Sequence, residues 1–182
     1  MNITTCDLPG LLIIEPKVFG DSRGFFMETW NRKRYLDAGI GADFVQDTLS
    51  RSRRGILRGL HFQNPSPQGK LVQVLEGEVF DAVVDIRRSS PTFGRWHGLV
   101  LSADNKRQFF IPHGFAHGFA VLSESALFAY KCTDFYAPQH EISIQWNDPD
   151  IGIQWPIAEP ELSEKDRKGL RLRDIPPDRL FP

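Results

Sequence analysis

The sequence has little cysteine, no long apolar run and almost no net charge. Its two cysteines, Cys6 and Cys132, are too few for a disulfide framework, which favours a reducing, cytoplasmic setting. No apolar stretch approaches the roughly 20 residues of a membrane helix, and the first residues lack the basic and apolar segments of a signal peptide. The net charge of −1 gives no basic field to recruit nucleic acid or an anionic membrane. Any anionic ligand therefore requires a local cluster of cations.

The histidines also lack a metal-binding pattern. A metal-binding cupin strand needs a His-x-His pair with a nearby glutamate and a later histidine, and this spacing does not occur. Two histidines four residues apart are separated by a glycine and follow a proline, so no helix presents both on one face. The five histidines are His61, His97, His113, His117 and His140. We expect no metal site among them, and we expect the protein to use no other cofactor.

What the sequence does contain is typical of one mainly β domain over residues 1–182. The hydrophobic content of 41% can supply a core, and short β-branched and aromatic segments alternate with turns. This pattern favours a sandwich or a jelly-roll barrel. The segments 70–75 and 79–86 are separated only by Glu76-Gly77-Glu78, which predicts a hairpin. Further strands are predicted at 98–101, 108–111, 119–122 and 126–131.

Helical pattern is sparse. One short helix is predicted over residues 31–38, ended by Gly39. A second is predicted over residues 163–168, where Ser163 and Asp166 have the spacing of a capping box. The tail from residue 174 to 182 is expected to cross the surface as irregular chain.

Three residues together suggest proton transfer next to a carbonyl. His61 can accept a proton, Tyr130 can donate one, and Lys70 can stabilise an oxyanion. Each also has an ordinary interpretation: a core histidine, a packed tyrosine and a surface lysine. Strand alternation places Tyr130 on the apolar inner face, whereas Arg58 and His61, three apart, share a site only if Gly59 makes a bulge.

The order of motifs along almost the whole chain resembles the dTDP-4-dehydrorhamnose 3,5-epimerase family. Each motif is weak by itself, and their common order makes the resemblance specific. The motifs are Asp21-Ser22-Arg23-Gly24-Phe25-Phe26-Met27-Glu28, Phe44-Val45-Gln46-Asp47, Arg58-Gly59-Leu60-His61, Gln68-Gly69-Lys70-Leu71-Val72, Gly77-Glu78-Val79-Phe80-Asp81, Pro112-His113-Gly114-Phe115-Ala116-His117-Gly118-Phe119, Tyr130-Lys131-Cys132-Thr133 and Ser163-Glu164-Lys165-Asp166.

The resemblance implies a cupin-type jelly-roll β-barrel with a few short helices, a homodimer, and a dTDP-linked 4-keto-6-deoxy sugar as substrate. The keto group acidifies the protons on carbons 3 and 5, because each carbanion is an enolate. By resemblance His61 is the base, Asp166 holds its far ring nitrogen, Lys70 and Arg58 face the oxyanion, and Tyr130 reprotonates the opposite face. Asp81 and Asp85, expected on the polar face of their strand, are rival partners for His61.

The resemblance also implies the substrate contacts. Arg23 and Glu28 are expected to reach the nucleotide across the dimer, and Tyr136 to stack on thymine. The other implied contacts are Gln46, Asp47, Thr48, Arg58, Lys70, His117, Glu141 and Lys165.

One position departs from the family pattern. The family has Asn-His after Gln-Asp, whereas this chain has Thr48-Leu49. This departure leaves room for a single-carbon epimerase of a related sugar, or for a relative that accepts a different sugar. Two other classes also stay open: a metal-dependent cupin enzyme, which would need three converging ligands, and a noncatalytic sugar-nucleotide binding protein.

Overall fold

The computed structural model describes residues 1–182 and contains two facing antiparallel sheets. The first sheet has six strands. In spatial order they are β1 (Asn2–Thr5), β2 (Leu12–Glu15), β10 (Gln108–Ile111), β7 (Lys70–Glu76), β12 (Ser125–Cys132) and β5 (Gln46–Arg53). Val72 and Val74 of β7, Phe109 of β10 and Phe128 of β12 are buried on the inner side of the central strands, where β-branched and aromatic side chains pack well.

The second sheet has five strands, and a separate hairpin lies outside both sheets. The five strands are β13 (Glu141–Ser143), β6 (Leu57–Gln63), β11 (Phe115–Val121), β8 (Glu78–Asp85) and β9 (Trp96–Ser102). The hairpin pairs β3 (Val18–Asp21) with β4 (Gly24–Met27).

The main core fills the space between the two sheets. Val72 and Phe128 from the six-stranded sheet are buried in one apolar cluster with Val83 and Phe119 from the five-stranded sheet. The rings of Phe119 and Phe128 stack with centroids 4.1 Å apart, so the two sheets are in direct contact. This is the packing of a jelly roll, and the predicted fold class is confirmed.

The predicted hairpin between residues 70–75 and 79–86 is wrong. Strand β7 pairs with β10 and β12, whereas β8 pairs with β11 and β9. Gly77, with a φ of +77°, turns the chain from one sheet into the other. A Cβ there would lie 2.1 Å from the carbonyl oxygen of Ser125, so only glycine fits this crossing.

Both predicted helices form. α1 (Arg32–Asp37) begins after Asn31, whose side chain accepts a hydrogen bond from the backbone of Arg34. α2 (Glu164–Arg167) begins after Ser163, whose hydroxyl accepts from the backbone N–H of Asp166 at 3.1 Å. No helix in the structure is long and apolar enough to cross a membrane.

The C-terminal tail is irregular, as predicted, but its apolar side chains are buried. Ile175, Leu180 and Phe181 pack on the outer face of the five-stranded sheet, against residues such as Leu60 and Phe62. The tail therefore builds a second core behind strand β6, where the sequence predicted a surface crossing.

Candidate active site

A cavity of about 560 Å³ opens between the two sheets at one end of the jelly roll. Polar and titratable side chains dominate its lining, although the interior next to it is apolar. Nine of the residues singled out in the sequence line it: Gln46, Thr48, Arg58, His61, Lys70, His117, Tyr130, Tyr136 and Glu141. Lys165 and Asp166 from α2 line it as well.

His61 and Asp166 form a buried pair at this cavity. The Nε2 atom of His61 lies 2.5 Å from Oδ1 of Asp166, whose side chain is only 3% exposed. Burial acts to raise the pKa of Asp166, but the hydrogen bond and charge of His61 outweigh it and the pKa is lowered. An ionised Asp166 requires a proton on Nε2, which leaves the lone pair on Nδ1 to accept a proton.

Glu141 lies at the other side of the His61 ring. Its Oε1 atom is 3.8 Å from His61 Nδ1, while Oε2 accepts hydrogen bonds from Lys165 at 2.7 Å and from the hydroxyl of Tyr136 at 3.0 Å. Burial acts to raise the pKa of Glu141, but the contact with Lys165 prevails and the pKa is lowered. Three predicted ligand contacts therefore form one network at the cavity mouth.

Arg58 and His61 reach the same cavity because strand β6 is irregular at Gly59. In the pairing of β6 with β11, His61 lies opposite His117 and Arg58 lies opposite Phe119. The two β6 residues are three positions apart and their partners only two, so β6 contains one extra residue here. Gly59 has a φ of +130°, and a Cβ there would lie 2.5 Å from Cα of Gly118. The predicted bulge is confirmed.

Tyr130 and Lys70 approach the cavity from the six-stranded sheet. Tyr130 lies on β12 with Phe128 on the same inner face, which confirms the predicted orientation. The ammonium of Lys70 is 6.0 Å from the centre of the Tyr130 ring. Burial raises the pKa of Tyr130 and lowers that of Lys70, since both charged forms are poorly solvated here.

His117 has its own carboxyl partner. Its Nε2 lies 2.9 and 3.0 Å from the two carboxyl oxygens of Asp81, and both side chains are buried. Burial lowers the pKa of His117, against the opposing charge of Asp81. The two other aspartates that the sequence suggested as partners of His61 do not bind it. Asp81 binds His117, and Asp85 binds Arg87. Asp81 also shares the inward face of β8 with Val83, where the sequence predicted a polar face.

Three predicted contact residues lie outside this cavity. Asp47 is on the outer face of β5, 71% exposed and paired with Lys131 at 2.9 Å, because strand alternation turns it away from Gln46 and Thr48. Arg23 is 87% exposed in the turn of the β3–β4 hairpin, where it pairs with Asp21. Glu28 follows that hairpin and contacts Arg34 at 3.2 Å.

Other lining residues were not singled out as contacts in the sequence. Gln68 and Ser163 were parts of family motifs, and Ser163 was also predicted as a helix cap. Ser50 follows Thr48 by two positions on β5, so strand alternation alone could have found it. The structure has no group of three or more His, Cys, Asp or Glu side chains placed to share a metal ion.

A jelly roll whose cavity holds a histidine–aspartate pair on one wall and a tyrosine with a lysine on the other defines a class: the isomerases that move protons beside a carbonyl. A family model described as dTDP-4-dehydrorhamnose 3,5-epimerase matches residues 5–174. The chain belongs to this family, which confirms the sequence resemblance.

Individual relatives agree with this assignment. The dTDP-4-dehydrorhamnose 3,5-epimerase of Pseudomonas aeruginosa is 57% identical over 176 residues, which cover 96% of this chain and 97% of the relative. A crystal structure of dTDP-6-deoxy-D-glucose-3,5-epimerase from Legionella pneumophila, in complex with dTDP-4-keto-L-rhamnose, superposes with a TM-score of 0.97 at 55% identity. That match covers 99% of this chain and 97% of the Legionella chain.

A more distant structure has a narrower activity. A 3′-monoepimerase from Streptomyces bikiniensis, crystallised with dTDP-quinovose, superposes with a TM-score of 0.87 at 34% identity. The match covers 92% of this chain and 86% of that one. The same fold therefore occurs in an enzyme named for inverting two sugar carbons and in one named for inverting a single carbon.

Proposed function

We propose that this protein inverts carbons 3 and 5 of dTDP-4-dehydro-6-deoxy-D-glucose to give dTDP-4-dehydro-L-rhamnose, without a cofactor. The observation that carries the proposal is one cavity with His61, paired with Asp166 of α2, on one sheet and Tyr130 on the other. A base and an acid on opposing walls meet opposite faces of a sugar ring placed between them. Inversion requires that arrangement, because the proton must leave one face and return to the other.

His61 removes the proton next to the keto group. Nδ1 accepts it, and the buried carboxylate of Asp166 stabilises the imidazolium through Nε2. The electron pair of the broken C–H bond moves into the enolate, whose oxygen faces Lys70 and Arg58. Fixed positive charge at a developing oxyanion contributes several kcal/mol in a water-poor site.

Tyr130 then delivers its phenol proton to the other face of the same carbon. Each inversion leaves an imidazolium and a phenolate, so both groups exchange protons with solvent before the second inversion. The cavity is open at its mouth, near Tyr136 and Lys165, which permits this exchange.

The remaining lining residues suit a nucleotide-linked sugar. Arg58 and Lys165 supply donors for diphosphate oxygens, and Gln46, His117 and Glu141 supply polar contacts for hydroxyl groups. Tyr136 is half exposed at the mouth, as stacking on thymine requires. The Legionella relative was crystallised with dTDP-4-keto-L-rhamnose, a ligand of this chemical class.

We also infer a homodimer in which the β3–β4 hairpin of one protomer completes the cavity of the other. Phe19, Phe25 and Phe26 of the hairpin are 53%, 61% and 71% exposed, which is unusual for three neighbouring phenylalanines. Arg23 at the hairpin tip and Glu28 at its end would then contact the partner's nucleotide. The two free cysteines fit the cytoplasmic setting predicted from the sequence, with residues 1–182 acting as one domain.

Complementation tests the shared site. Arg23→Ala and His61→Asn homodimers should both be nearly inactive. In a refolded mixture, each heterodimer has one cavity with a native His61 and a native Arg23 from the partner. Roughly a quarter of wild-type activity should return. No recovery in verified heterodimers would contradict the crossing hairpin.

Proton NMR in deuterated buffer, with dTDP-4-keto-6-deoxyglucose and no added metal, tests the reaction. Deuterium entering both carbons, with the product trapped by a ketoreductase as the rhamnose nucleotide, is the expected result. Inversion at one carbon only would support the second candidate, favoured by the Streptomyces bikiniensis 3′-monoepimerase and by Thr48 in the cavity. Binding without exchange would leave the noncatalytic alternative.

A further inference from the structure

Thr48 lies directly beside Tyr130. Strand β5 forms the edge of the six-stranded sheet next to β12, and in this pairing Thr48 is the cross-strand neighbour of Tyr130. Both side chains point to the inner face and line the cavity. Directly paired residues of antiparallel strands have Cβ atoms about 5 Å apart, so the two side chains are neighbours on the cavity wall.

A chain of hydrogen bonds fixes which way the Thr48 hydroxyl can donate. The backbone N–H of Tyr136 donates to Oε1 of Gln46 at 2.9 Å, which sets the orientation of the Gln46 amide. Nε2 of Gln46 then donates to Oγ1 of Thr48 at 3.1 Å. Because Oγ1 already accepts from Gln46, the single hydroxyl proton of Thr48 is free to be donated on the cavity side.

We propose that Thr48 is a positioning residue that donates this proton in a hydrogen bond to the phenol oxygen of Tyr130. The bond stabilises the phenolate that Tyr130 becomes each time it protonates the sugar carbon. This inference rests on the proposed function and assigns Thr48 a role through Tyr130, beyond a polar contact with the substrate.

The environment of Tyr130 gives such a donor a role. Burial raises the pKa of the Tyr130 phenol, which makes proton donation harder, and Thr48 acts in the opposite direction, as does the charge of Arg58. A hydrogen bond to a charged form favours that form and lowers the energy of the step that creates it. Two inversions form the phenolate twice, so this stabilisation enters both reprotonation steps.

The titration of Tyr130 tests the contact without any reference to turnover. The chain has only three tyrosines, so 3-fluorotyrosine labelling gives three fluorine NMR signals, assigned with Tyr35→Phe and Tyr136→Phe. Fluorine also makes the phenol more acidic, which brings its titration to lower pH. We compare wild type with Thr48→Val, which keeps the shape and loses the hydroxyl, Thr48→Ser, which keeps the hydroxyl, and Ser50→Ala, which removes a hydroxyl from the next inward position.

Thr48→Val should raise the pKa of Tyr130 by about one unit, the size expected for losing a hydrogen bond to a charged group. In Thr48→Ser the pKa of Tyr130 should stay close to its wild-type value, and in Ser50→Ala it should be unchanged. An unchanged Tyr130 titration in Thr48→Val would overturn the proposal, as would an equal shift in Ser50→Ala.

Isotope exchange tests the consequence for catalysis. In deuterated buffer Thr48→Val should lose about three- to tenfold in inversion while exchange through His61 is largely retained, with KM changed less than about twofold. A rise in KM with an unchanged kcat would instead assign Thr48 to substrate binding and refute the positioning role. If the wild type shows no turnover but the pKa shift appears, the proposed function fails and the Thr48–Tyr130 contact is still supported.

Discussion

The two walls of the cavity are built from the same kind of antiparallel sheet, yet they partner their functional groups differently. On the five-stranded wall, each histidine binds a buried carboxyl: His61 binds Asp166, and His117 binds Asp81. On the six-stranded wall, Tyr130 has the neutral Thr48 as its neighbour and a lysine over its ring. The partners differ because the base on one wall becomes positively charged during the reaction, whereas the acid on the other wall becomes negatively charged.

A base becomes positive when it takes a proton, and a nearby carboxylate stabilises that state. An acid becomes negative when it gives one, and a carboxylate hydrogen-bonded to it would oppose the reaction. The comparison therefore predicts separable defects: loss of His61 stops proton removal, whereas loss of Tyr130 stops proton return.

The largest effect is expected from His61→Asn, which removes the base and keeps a side chain of similar polarity. Both exchange and inversion should fall by at least about 10³-fold, because the group that removes the proton is lost. Deuterium incorporation at carbons 3 and 5 measures this directly. Exchange at a near-normal rate in this variant would assign the base to another residue.

Tyr130→Phe should separate the two walls most clearly. Inversion should fall by about 10²-fold or more, while His61 continues to exchange the substrate proton with solvent on its own face. The ratio of exchange to inversion is the measurement. Tyr35→Phe is a matched control, because Tyr35 is buried against Gln108 outside the cavity and should leave that ratio unchanged. Equal losses of exchange and inversion in Tyr130→Phe would contradict the division between the walls.

Asp166→Asn should lower kcat by about 10- to 100-fold with a small change in KM, since the amide can neither hold the same tautomer nor balance the imidazolium. Glu164→Gln in the same short helix is the control, because Glu164 is exposed and pairs only with Arg167. If Glu164→Gln lowered kcat as much as Asp166→Asn, damage to helix α2 would explain the loss in both variants.

Acid should destabilise the five-stranded wall. The pKa values of Asp166 and Glu141 are lowered in the folded protein: burial opposes this, but His61 and Lys165 outweigh it. Their contribution to the free energy of unfolding is thus complete above their unfolded pKa values of about 4, and it is lost as pH falls through the lower folded values. Thermal unfolding from pH 6 downwards should show a shallower decline in an Asp166→Asn, Glu141→Gln double variant. An identical pH profile would show that these carboxylates do not control acid stability.

The smallest effect is expected from Asp47→Asn. Asp47 lies on the outer face of β5 and its pair with Lys131 is largely exposed, so the change should alter KM and kcat less than about twofold. Thr48→Val, one position away on the inner face, is the natural comparison. A large rise in KM for Asp47→Asn would instead show that Asp47 contacts the substrate, as the sequence predicted.

Local chemistry predicted the parts of this architecture that depend on neighbouring residues. The cap at Ser163, and the bulge at Gly59 required by the Arg58–His61 spacing, follow from a few residues of sequence. Pairing between distant segments did not follow from such rules. The turn at Gly77 shows where the chain reverses, but which strands it joins depends on β10, β11 and β12, far along the chain.

The same limit applies to the site. Asp166 and His61 are 105 positions apart, and only the family resemblance suggested their contact. Asp81 was weighed as a partner for the wrong histidine, because both faces of β8 are buried and simple alternation misleads there. Thr48 also came from the resemblance, and Ser50 is then expected beside it, because it follows Thr48 by two positions on the same face of β5.

The buried C-terminal tail has a practical consequence for anyone handling this protein. Phe181, next to the last residue, packs 6.1 Å from the ring of Phe62, which follows His61 in strand β6. A substitution that shortens the side chain of Leu180 or Phe181 would loosen the strand directly behind the base while every residue of the cavity stays in place. Low specific activity in such a variant would therefore be no evidence about the residues that line the site.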